Sequence, residues 1–288
     1  MGCAQSMRGK VAVITGGTSG IGLATASALA RQGARVTVLC RKTGSEGARK
    51  LAALKVQGEV RLVECDLGRL ASVRAAARQV ADRCGAVHLL VNNAGVFLRE
   101  RAESADGLEM TFQVNYLSHF LLSNLLLDRL KAARDARVVN LVAPVDSIRL
   151  DFDDLMSKRS YSFLAASARS KLALVLAARR LSDALSGSGA RVLCYYPGLV
   201  RSGLFDGTSR VLKTLIDVVG ATPAQAAANL LAILADAPPA ASPAFFERTR
   251  ARPLKGMATD AEAAARLWDM SARLAGLTRA DVTVAPAS

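Results

Sequence analysis

The stretch Lys10-Val-Ala-Val-Ile-Thr15, followed directly by Gly16-Gly-Thr-Ser-Gly-Ile-Gly22, decides the fold of this chain. Its first six residues form a short apolar, β-branched run, which is typical of a strand buried on both faces of a parallel sheet. From Leu23 to Arg31, apolar residues recur at helical spacing. The order of strand, glycine turn and helix predicts a pyrophosphate site, because glycines at a helix N-terminus leave backbone N–H groups free and place no Cβ atom in the way.

Two cations follow the second predicted strand, Ala34 to Cys40. An NAD site favours an acidic residue about 20 positions past the glycines, and no Asp or Glu occurs before Glu46. Arg41 and Lys42 stand there instead and suit a 2′-phosphate, so the predicted cofactor is NADP(H) rather than NAD(H). The alternative interpretation is that both are ordinary solvated loop charges.

Further strands alternate with segments of helical length. The predicted strands are 60–65, 87–91, 137–141 and 190–196, and the intervening segments include 70–83 and 110–133. This alternation predicts an α/β fold of the Rossmann type, a doubly wound parallel β-sheet flanked by helices. No linker interrupts the series, which predicts a single domain. Ligands bind beyond the carboxyl ends of such strands, where Gly16, Arg41, Asp66 and Asn93 all fall.

Several motifs recur along the chain in a set order and spacing. They are Thr15-Gly16-x-x-x-Gly20-x-Gly22, Asp66-Leu67, Asn92-Asn93-Ala94-Gly95, Asn115, Lys171 and Pro197-Gly198. Together they resemble the short-chain dehydrogenase/reductase family, and most of all its retinol-dehydrogenase-like branch, which also shares Thr222-Pro223 and Ala265-Arg-Leu-Trp268. The likeness covers about residues 9–277, the predicted domain, with a 1–8 extension before it and a 278–288 tail after it.

The resemblance implies a set of cofactor-binding residues. These are Thr15, Gly16, Thr18, Ser19, Gly20, Ile21, Gly22, Arg41, Lys42, Asp66, Leu67, Asn93, Ala94, Gly95, Lys171, Pro197, Gly198, Val200 and Ser202.

The resemblance also implies a catalytic set of Asn, Ser, Tyr and Lys, of which this chain has half. Asn115 and Lys171 match, whereas Ala143 stands at the Ser position and Ser167 at the Tyr position. In the family the tyrosine passes a proton to or from the substrate oxygen, the serine hydrogen-bonds the carbonyl, and the lysine lowers the tyrosine pKa and bonds the nicotinamide ribose. A serine hydroxyl is far less acidic and a whole ring shorter, so weak or atypical catalysis is expected.

Three other hydroxyls are candidates to replace the missing ones. Tyr161 lies ten residues before Lys171, too far along a helix for direct replacement. Tyr196, next to the Pro197-Gly198 turn, is better placed for the proton, and Ser147 is a candidate to replace the missing Ser. Plain packing or loop polarity is favoured over these roles.

Three functional hypotheses follow. The first is NADP(H)-dependent carbonyl–alcohol redox on a lipophilic substrate. The second is a catalytically inactive NADP(H)-binding regulator, and the third is a partner in an oligomer. Members of the family associate through the helices that carry Asn115 and Lys171, and the apolar 117–130 face suits a homo-oligomer or the core equally well.

The segment 199–219 is predicted to form a flap over the substrate pocket, with Ser202 near the cofactor amide. Its apolar residues suit either a lipophilic ligand or packing on the domain itself; they are Leu204, Phe205, Val211 and Leu215. Beyond it, Thr222 is predicted to cap a helix that runs to about Ala235. A last edge strand is predicted at 244–246 and a final helix at 260–274.

The composition permits a large core and argues against nucleic-acid binding and a metal site. The 288 residues are 51% apolar with a net charge of +14, yet only 5% are aromatic. No basic run is interleaved with stacking residues, so nucleic-acid binding is not expected. Five scattered cysteines suit a reducing, cytoplasmic compartment. His88 and His119 are too few and too isolated for a metal site.

The N-terminal residues leave membrane association open. No apolar run reaches the ~18 residues of a membrane span. Met1-Gly2-Cys3-Ala4-Gln5-Ser6 fits a myristoylation pattern with an adjacent cysteine for palmitate, which predicts peripheral anchoring if the motif is native. Met7 is an alternative start, in which case the first six residues are an artefact.

Overall fold

A parallel sheet forms the centre of the computed structural model, which describes residues 7–54, 56, 58–201, 220–235 and 242–278. The strand order is β3-β2-β1-β4-β5-β6-β7-β8, and every neighbouring pair is parallel except β7 with β8. This is the predicted α/β architecture of the Rossmann type. The strands are β1 (Val11–Thr15), β2 (Arg35–Cys40), β3 (Glu59–Glu64), β4 (Leu89–Asn92), β5 (Arg137–Leu141), β6 (Arg191–Tyr196), β7 (Ala244–Glu247) and β8 (Arg250–Ala251).

Helices cover both faces of the sheet and bury two apolar clusters. Alternate residues of β1 enter different clusters, Val11 and Val13 on one face and Ala12 and Ile14 on the other, as the two-residue period of a strand requires. The four cysteines within the described residues are all buried and unpaired. The helices are α1 (Gly20–Arg31), α2 (Glu46–Ala52), α3 (Leu70–Arg83), α4 (Met110–Phe112), α5 (Ser118–Leu125), α6 (Leu127–Ala132), α7 (Phe163–Ala184), α8 (Pro223–Ala235) and α9 (Ala261–Leu274).

The predicted helix at 110–133 is broken rather than continuous. Between α4 and α5 the backbone forms a π-helix, Gln113–Leu117, and a second break at Leu126 separates α5 from α6. Asn115 lies at the centre of the π-helix, and its carbonyl group bonds the ring of His119 at 3.1 Å. The side chain of Asn115 is therefore held at a local widening of the helix, a feature common at functional sites.

The C-terminal part largely confirms the predicted elements. Thr222 caps α8 by accepting a hydrogen bond from the Gln225 N–H at 3.1 Å, and Asp260 caps α9 through the Ala263 N–H at 2.9 Å. The strand predicted at 244–246 is present as β7, but it is not the outermost strand of the sheet. The short antiparallel strand β8 pairs outside β7, because the chain turns back at once through Arg248, whose φ is 53°.

Helix α9 packs over the apolar face that was a candidate for an oligomer interface. Leu117, Leu121 and Leu122 are fully buried. The Trp268 ring packs edge-on against Phe120 with their centroids 4.8 Å apart. The Tyr116 hydroxyl bonds Ser271 Oγ at 2.6 Å. These apolar side chains are therefore part of the core of the same chain, and they are not available to a second copy.

Candidate functional site

The glycine turn after β1 has the conformation that its sequence predicts. Gly16 and Gly20 have φ values of 65° and 50°, which favour glycine because an L side chain there is strained. A methyl group on Gly22 would lie 2.5 Å from the Gly16 carbonyl oxygen. Helix α1 therefore packs against the turn at a distance that only a glycine at position 22 allows. Ser19 is the exposed N-cap of α1, and its side chain makes no capping bond. The N-terminus of α1 therefore begins at an exposed residue without a side-chain cap, which leaves its first backbone N–H groups suited to bind an anion.

Hydrogen bonds join this turn to the end of β4. The hydroxyl of Thr15 accepts the N–H groups of Asn93 and Ala94 at 2.9 and 3.0 Å. The side-chain amide of Asn93 donates to the carbonyls of Thr15 and Gly16 at 2.9 and 3.2 Å. The two strand ends thus form one rigid edge.

The ends of β2 and β3 border the same edge. Arg41 and Lys42 directly follow β2, and both are exposed. Helix α2 then returns so close to the turn that a methyl group on Gly47 would overlap the carbonyl oxygen of Thr18. Two exposed cations therefore follow β2 close to the glycine turn.

Asp66 and Leu67 shape the next turn along the edge. The Asp66 carboxylate accepts the Gly68 N–H at 2.9 Å, and the Leu67 carbonyl accepts the Ser118 hydroxyl at 2.6 Å. Leu67 is buried, whereas Ile21 on α1 is half-buried against the other core cluster. Both residues thus have packing roles in addition to their place beside the turn.

The Asn115 side chain holds the backbone just after Gly95. Its amide oxygen accepts the Val96 N–H at 2.7 Å, and its amide nitrogen donates to the Val96 carbonyl at 3.0 Å. The same nitrogen lies 3.2 Å from the hydroxyl of Ser170 on α7. Asn115 therefore fixes the 95–96 backbone and connects it to the helix that carries Lys171.

The Lys171 amine lies beside Gly95. It donates to the Leu141 carbonyl at the end of β5 at 2.9 Å, and a methyl group on Gly95 would lie 3.9 Å from it. Burial lowers the pKa of Lys171 to about 8. The structure thus brings Lys171, Asn115 and Gly95 together, as the motif order predicts.

The two replaced positions flank this lysine. Ser167 lies one helical turn before Lys171 on α7, and its carbonyl accepts the Ser170 hydroxyl at 2.6 Å. Ala143 lies two residues after the end of β5, and like Ser167 it is half-buried. Both positions belong to the carboxyl edge of the sheet.

The substitute hydroxyls fit the missing roles poorly. Tyr161 precedes α7 instead of lying on it, and its hydroxyl donates to the Leu98 carbonyl at 2.8 Å. Tyr196 is half-buried, and burial, with a smaller effect of Glu247, raises its pKa. Ser147 is exposed in the loop after Ala143.

The last part of the predicted site is described only in part. Pro197 is buried and Gly198 has a φ of 82°. Val200 is buried and bridges to Ala221. Ser202 and the predicted flap residues Leu204, Phe205, Val211 and Leu215 lie outside the described residues.

A pH dependence follows from the buried lysine. The folded pKa of Lys171, about 8, lies below its ordinary value of 10.5. The unfolded chain therefore holds up to one more proton between these values, and the free energy of unfolding should rise as the pH increases from about 8 to 10.5. We expect Lys171→Met to remove this contribution. Urea unfolding of both proteins at several pH values measures the difference, and identical pH profiles would contradict it.

A family profile described as "short chain dehydrogenase" matches residues 10–211. The chain belongs to this family. Human retinol dehydrogenase 13 is 38% identical over 299 residues, which cover 96% of this chain and 88% of the relative. A crystal structure of an uncharacterised protein from Mycobacterium paratuberculosis is 32% identical with a TM-score of 0.74, over 96% and 98% of the two chains. The Pseudomonas aeruginosa RhlG/NADP complex is 26% identical with a TM-score of 0.68, over 86% and 97%.

Sequence reasoning about this short-chain dehydrogenase missed two polar residues of the site. His119 was considered only as a metal ligand, yet both ring nitrogens lie within bonding distance of site residues. Ser170 was not singled out, although it bonds Asn115. A usable signal existed for His119, because it lies four residues after Asn115 and therefore on the same helix face.

Proposed function

We propose that this chain binds NADP(H) and interconverts a carbonyl and an alcohol on a lipophilic substrate at a low rate. The observation that carries the proposal is the edge formed by the glycine turn, the exposed pair Arg41 and Lys42, and the Lys171 amine beside Gly95. In a dinucleotide site the glycine turn binds the pyrophosphate, the groups after the second strand bind the adenine ribose or its 2′-phosphate, and groups farther along the edge bind the nicotinamide ribose.

The described residues fit this cofactor. The N-terminus of α1 binds the pyrophosphate, and a methyl group on Gly22 would close that cradle. Arg41 and Lys42 bind the 2′-phosphate, since guanidinium and ammonium groups make strong charge-assisted bonds to it. By likeness to the family, Lys171 bonds the nicotinamide ribose. When bound, the cofactor supplies or accepts the hydride.

The remaining cofactor positions have narrower proposed roles. Thr15, Asn93 and Ala94 hold the floor of the site through their mutual hydrogen bonds. The other members contribute backbone groups, shape or packing; they are Gly16, Thr18, Ser19, Gly20, Ile21, Asp66, Leu67, Gly95, Pro197, Gly198, Val200 and Ser202.

Weak catalysis is proposed because Ser167 and Ala143 supply neither a phenol nor a second hydrogen-bond donor. General acid–base catalysis contributes roughly 10² to 10⁴ in rate, and a donor to the developing oxyanion roughly 10² to 10³. The Lys171 amine has no phenol four residues earlier on α7 whose pKa it could lower.

A second candidate function is that of an inactive NADP(H)-binding regulator. The chain lacks both the serine and the tyrosine hydroxyl of the family, yet it retains the cofactor-binding residues and Lys171, and this combination favours a regulator. If this hypothesis is correct, the purified protein will bind NADPH but show no turnover above background with retinoid, steroid or aldehyde substrates. Turnover abolished by Lys171→Ala would instead support the enzyme.

A lipophilic ligand is supported by the names of the retinol dehydrogenase relatives and by two exposed leucines. Leu164, in the first turn of α7, and Leu199, just after Gly198, are 60% and 42% exposed. Leucines exposed beside a ligand edge are candidates to contact an apolar substrate or a membrane surface. No helix in the part of the chain that the structure describes is long and apolar enough to cross a bilayer.

The cofactor proposal predicts that the preference for NADPH over NADH depends on Arg41 and Lys42. Replacing both in Arg41→Gln with Lys42→Gln should weaken NADPH binding by about 10- to 100-fold, because two exposed, solvent-screened charged bonds together contribute on the order of 1.4–2.8 kcal/mol. Binding of NADH should stay unchanged. Isothermal titration with both cofactors measures this.

Two exposed arginines elsewhere provide the matched control. Arg31→Gln with Arg78→Gln also removes two positive charges, but from the last turn of α1 and the middle of α3, and should leave both affinities unchanged. An unmodified protein that binds NADH more tightly than NADPH would refute the cofactor assignment.

A further inference from the structure

The protonation state of His119 follows from its two partners. The side chain is fully buried. Its Nδ1 lies 3.1 Å from the Asn115 carbonyl oxygen, which can only accept, so Nδ1 carries the proton. Burial also lowers the pKa of His119 to about 3, which keeps the ring neutral. Nε2 is therefore an acceptor.

The acceptor nitrogen of His119 then determines the role of Thr15. The Thr15 hydroxyl lies 2.9 Å from Nε2 and 3.4 Å from the Val91 carbonyl, so its single proton goes to the ring. Its two lone pairs accept the N–H groups of Asn93 and Ala94. Every hydrogen-bonding position of this hydroxyl is used.

These bonds close a ring around Gly95. On one side, Thr15 holds residues 93 and 94, and on the other side Asn115 holds the N–H and the carbonyl of Val96. His119 connects the two anchors, because it bonds Thr15 with one nitrogen and the Asn115 backbone with the other. Gly95, which faces Lys171, lies between two fixed points.

We infer that His119 is a positioning residue that holds the 93–96 backbone for the nicotinamide half of the cofactor. The inference rests on the proposed NADP(H) site. An apolar side chain in this place would remove the short bond of the Thr15 hydroxyl, leaving it only the longer 3.4 Å contact with the Val91 carbonyl, and would also remove the ring donor that bonds the Asn115 carbonyl. The adenine half binds at Arg41 and Lys42, away from this ring of bonds, and does not depend on it.

Two ligands separate positioning from general stability. NADPH contains both halves of the cofactor, whereas 2′-phospho-ADP lacks the nicotinamide and the ribose that carries it. We expect His119→Phe to weaken NADPH binding by about tenfold or more while the affinity for 2′-phospho-ADP stays within about twofold. Isothermal titration gives both constants. Equal weakening of both ligands, or no weakening of either, would overturn the inference.

Two polar variants dissect the bonds and guard against a variant that does not fold. In His119→Asn the amide nitrogen reaches the position of Nδ1 and keeps the bond to Asn115. In His119→Gln the amide oxygen reaches the position of Nε2 and keeps the bond to Thr15. We expect both to lose part of the NADPH affinity. Adding Thr15→Val removes the acceptor of the Asn93 and Ala94 N–H groups in both backgrounds, so it should weaken NADPH binding in both. The loss should be larger in His119→Gln, which still bonds Thr15, than in His119→Asn, and equal losses in the two would contradict the connection.

The unmodified chain distinguishes this inference from the proposed function. If it binds 2′-phospho-ADP and NADPH, the cofactor proposal stands and only the variants decide the role of His119. If it binds neither ligand, the cofactor proposal fails and the positioning role fails with it.

Discussion

The double variant Ala143→Ser with Ser167→Tyr is expected to oxidise NADPH with a carbonyl substrate at least about 100-fold faster than the unmodified chain. Position 167 lies one turn before Lys171 on the same face of α7, so a phenol there approaches the lysine amine. That ammonium group would lower the pKa of the phenol. Position 143 follows β5, whose last residue, Leu141, accepts the Lys171 amine. A hydroxyl there supplies the missing donor at the same edge.

Three controls identify the cause of any gain. Ala143→Ser with Ser167→Phe supplies the ring without the hydroxyl, and should gain nothing. Each single change should gain less than the pair, since groups that act as a unit do not contribute additively. NADPH absorbance with a retinoid and aldehyde panel measures the rates. A folded, NADPH-binding double variant with an unchanged rate would show that the edge is not organised for this chemistry, and fast turnover by the unmodified chain would refute weak catalysis.

The elements that fix the cofactor edge could be predicted because they depend on local pattern. The apolar run before Gly16 is buried on both faces, and a run of that kind has few alternatives to a central parallel strand. The strand predicted at 137–141 and the helix predicted at 70–83 have those bounds in the structure. Chain direction then places the residues after each strand at one edge, without knowledge of any side-chain contact.

The features that were missed depend on contacts between distant parts of the chain. His119 bonds Thr15, which precedes it by 104 residues, and no local pattern indicates that partner. Trp268 covers Phe120 from the last helix, so the 117–130 face is core and not an interface. Tyr161 was treated as helical because it precedes Lys171 by ten residues, but α7 begins only at Phe163, after the exposed Ser162. Helix starts and tertiary partners are the parts of a fold that periodicity specifies least.

A single methyl group at Gly22 should abolish most of the cofactor binding. In Gly22→Ala the new carbon would lie 2.5 Å from both the Gly16 carbonyl oxygen and the Asn93 side-chain nitrogen. Neither neighbour can retreat freely, because the first is backbone and the second donates to the carbonyls of Thr15 and Gly16. Helix α1 must therefore shift outward and take its free N–H groups away from the pyrophosphate. We expect NADPH affinity to fall by about 100-fold or more.

A second glycine shows whether that loss comes from the contact or from the added methyl group as such. Gly85 has open space around the corresponding position, so Gly85→Ala should leave NADPH affinity within about twofold. Isothermal titration compares the two variants, and circular dichroism confirms that each is folded. Since the clash in Gly22→Ala lies at the turn, binding of 2′-phospho-ADP, which keeps the pyrophosphate, should fall together with that of NADPH, unlike in His119→Phe. Unchanged NADPH affinity in a folded Gly22→Ala protein would mean that the pyrophosphate does not bind at this helix N-terminus, and the proposed cofactor site would have to be abandoned.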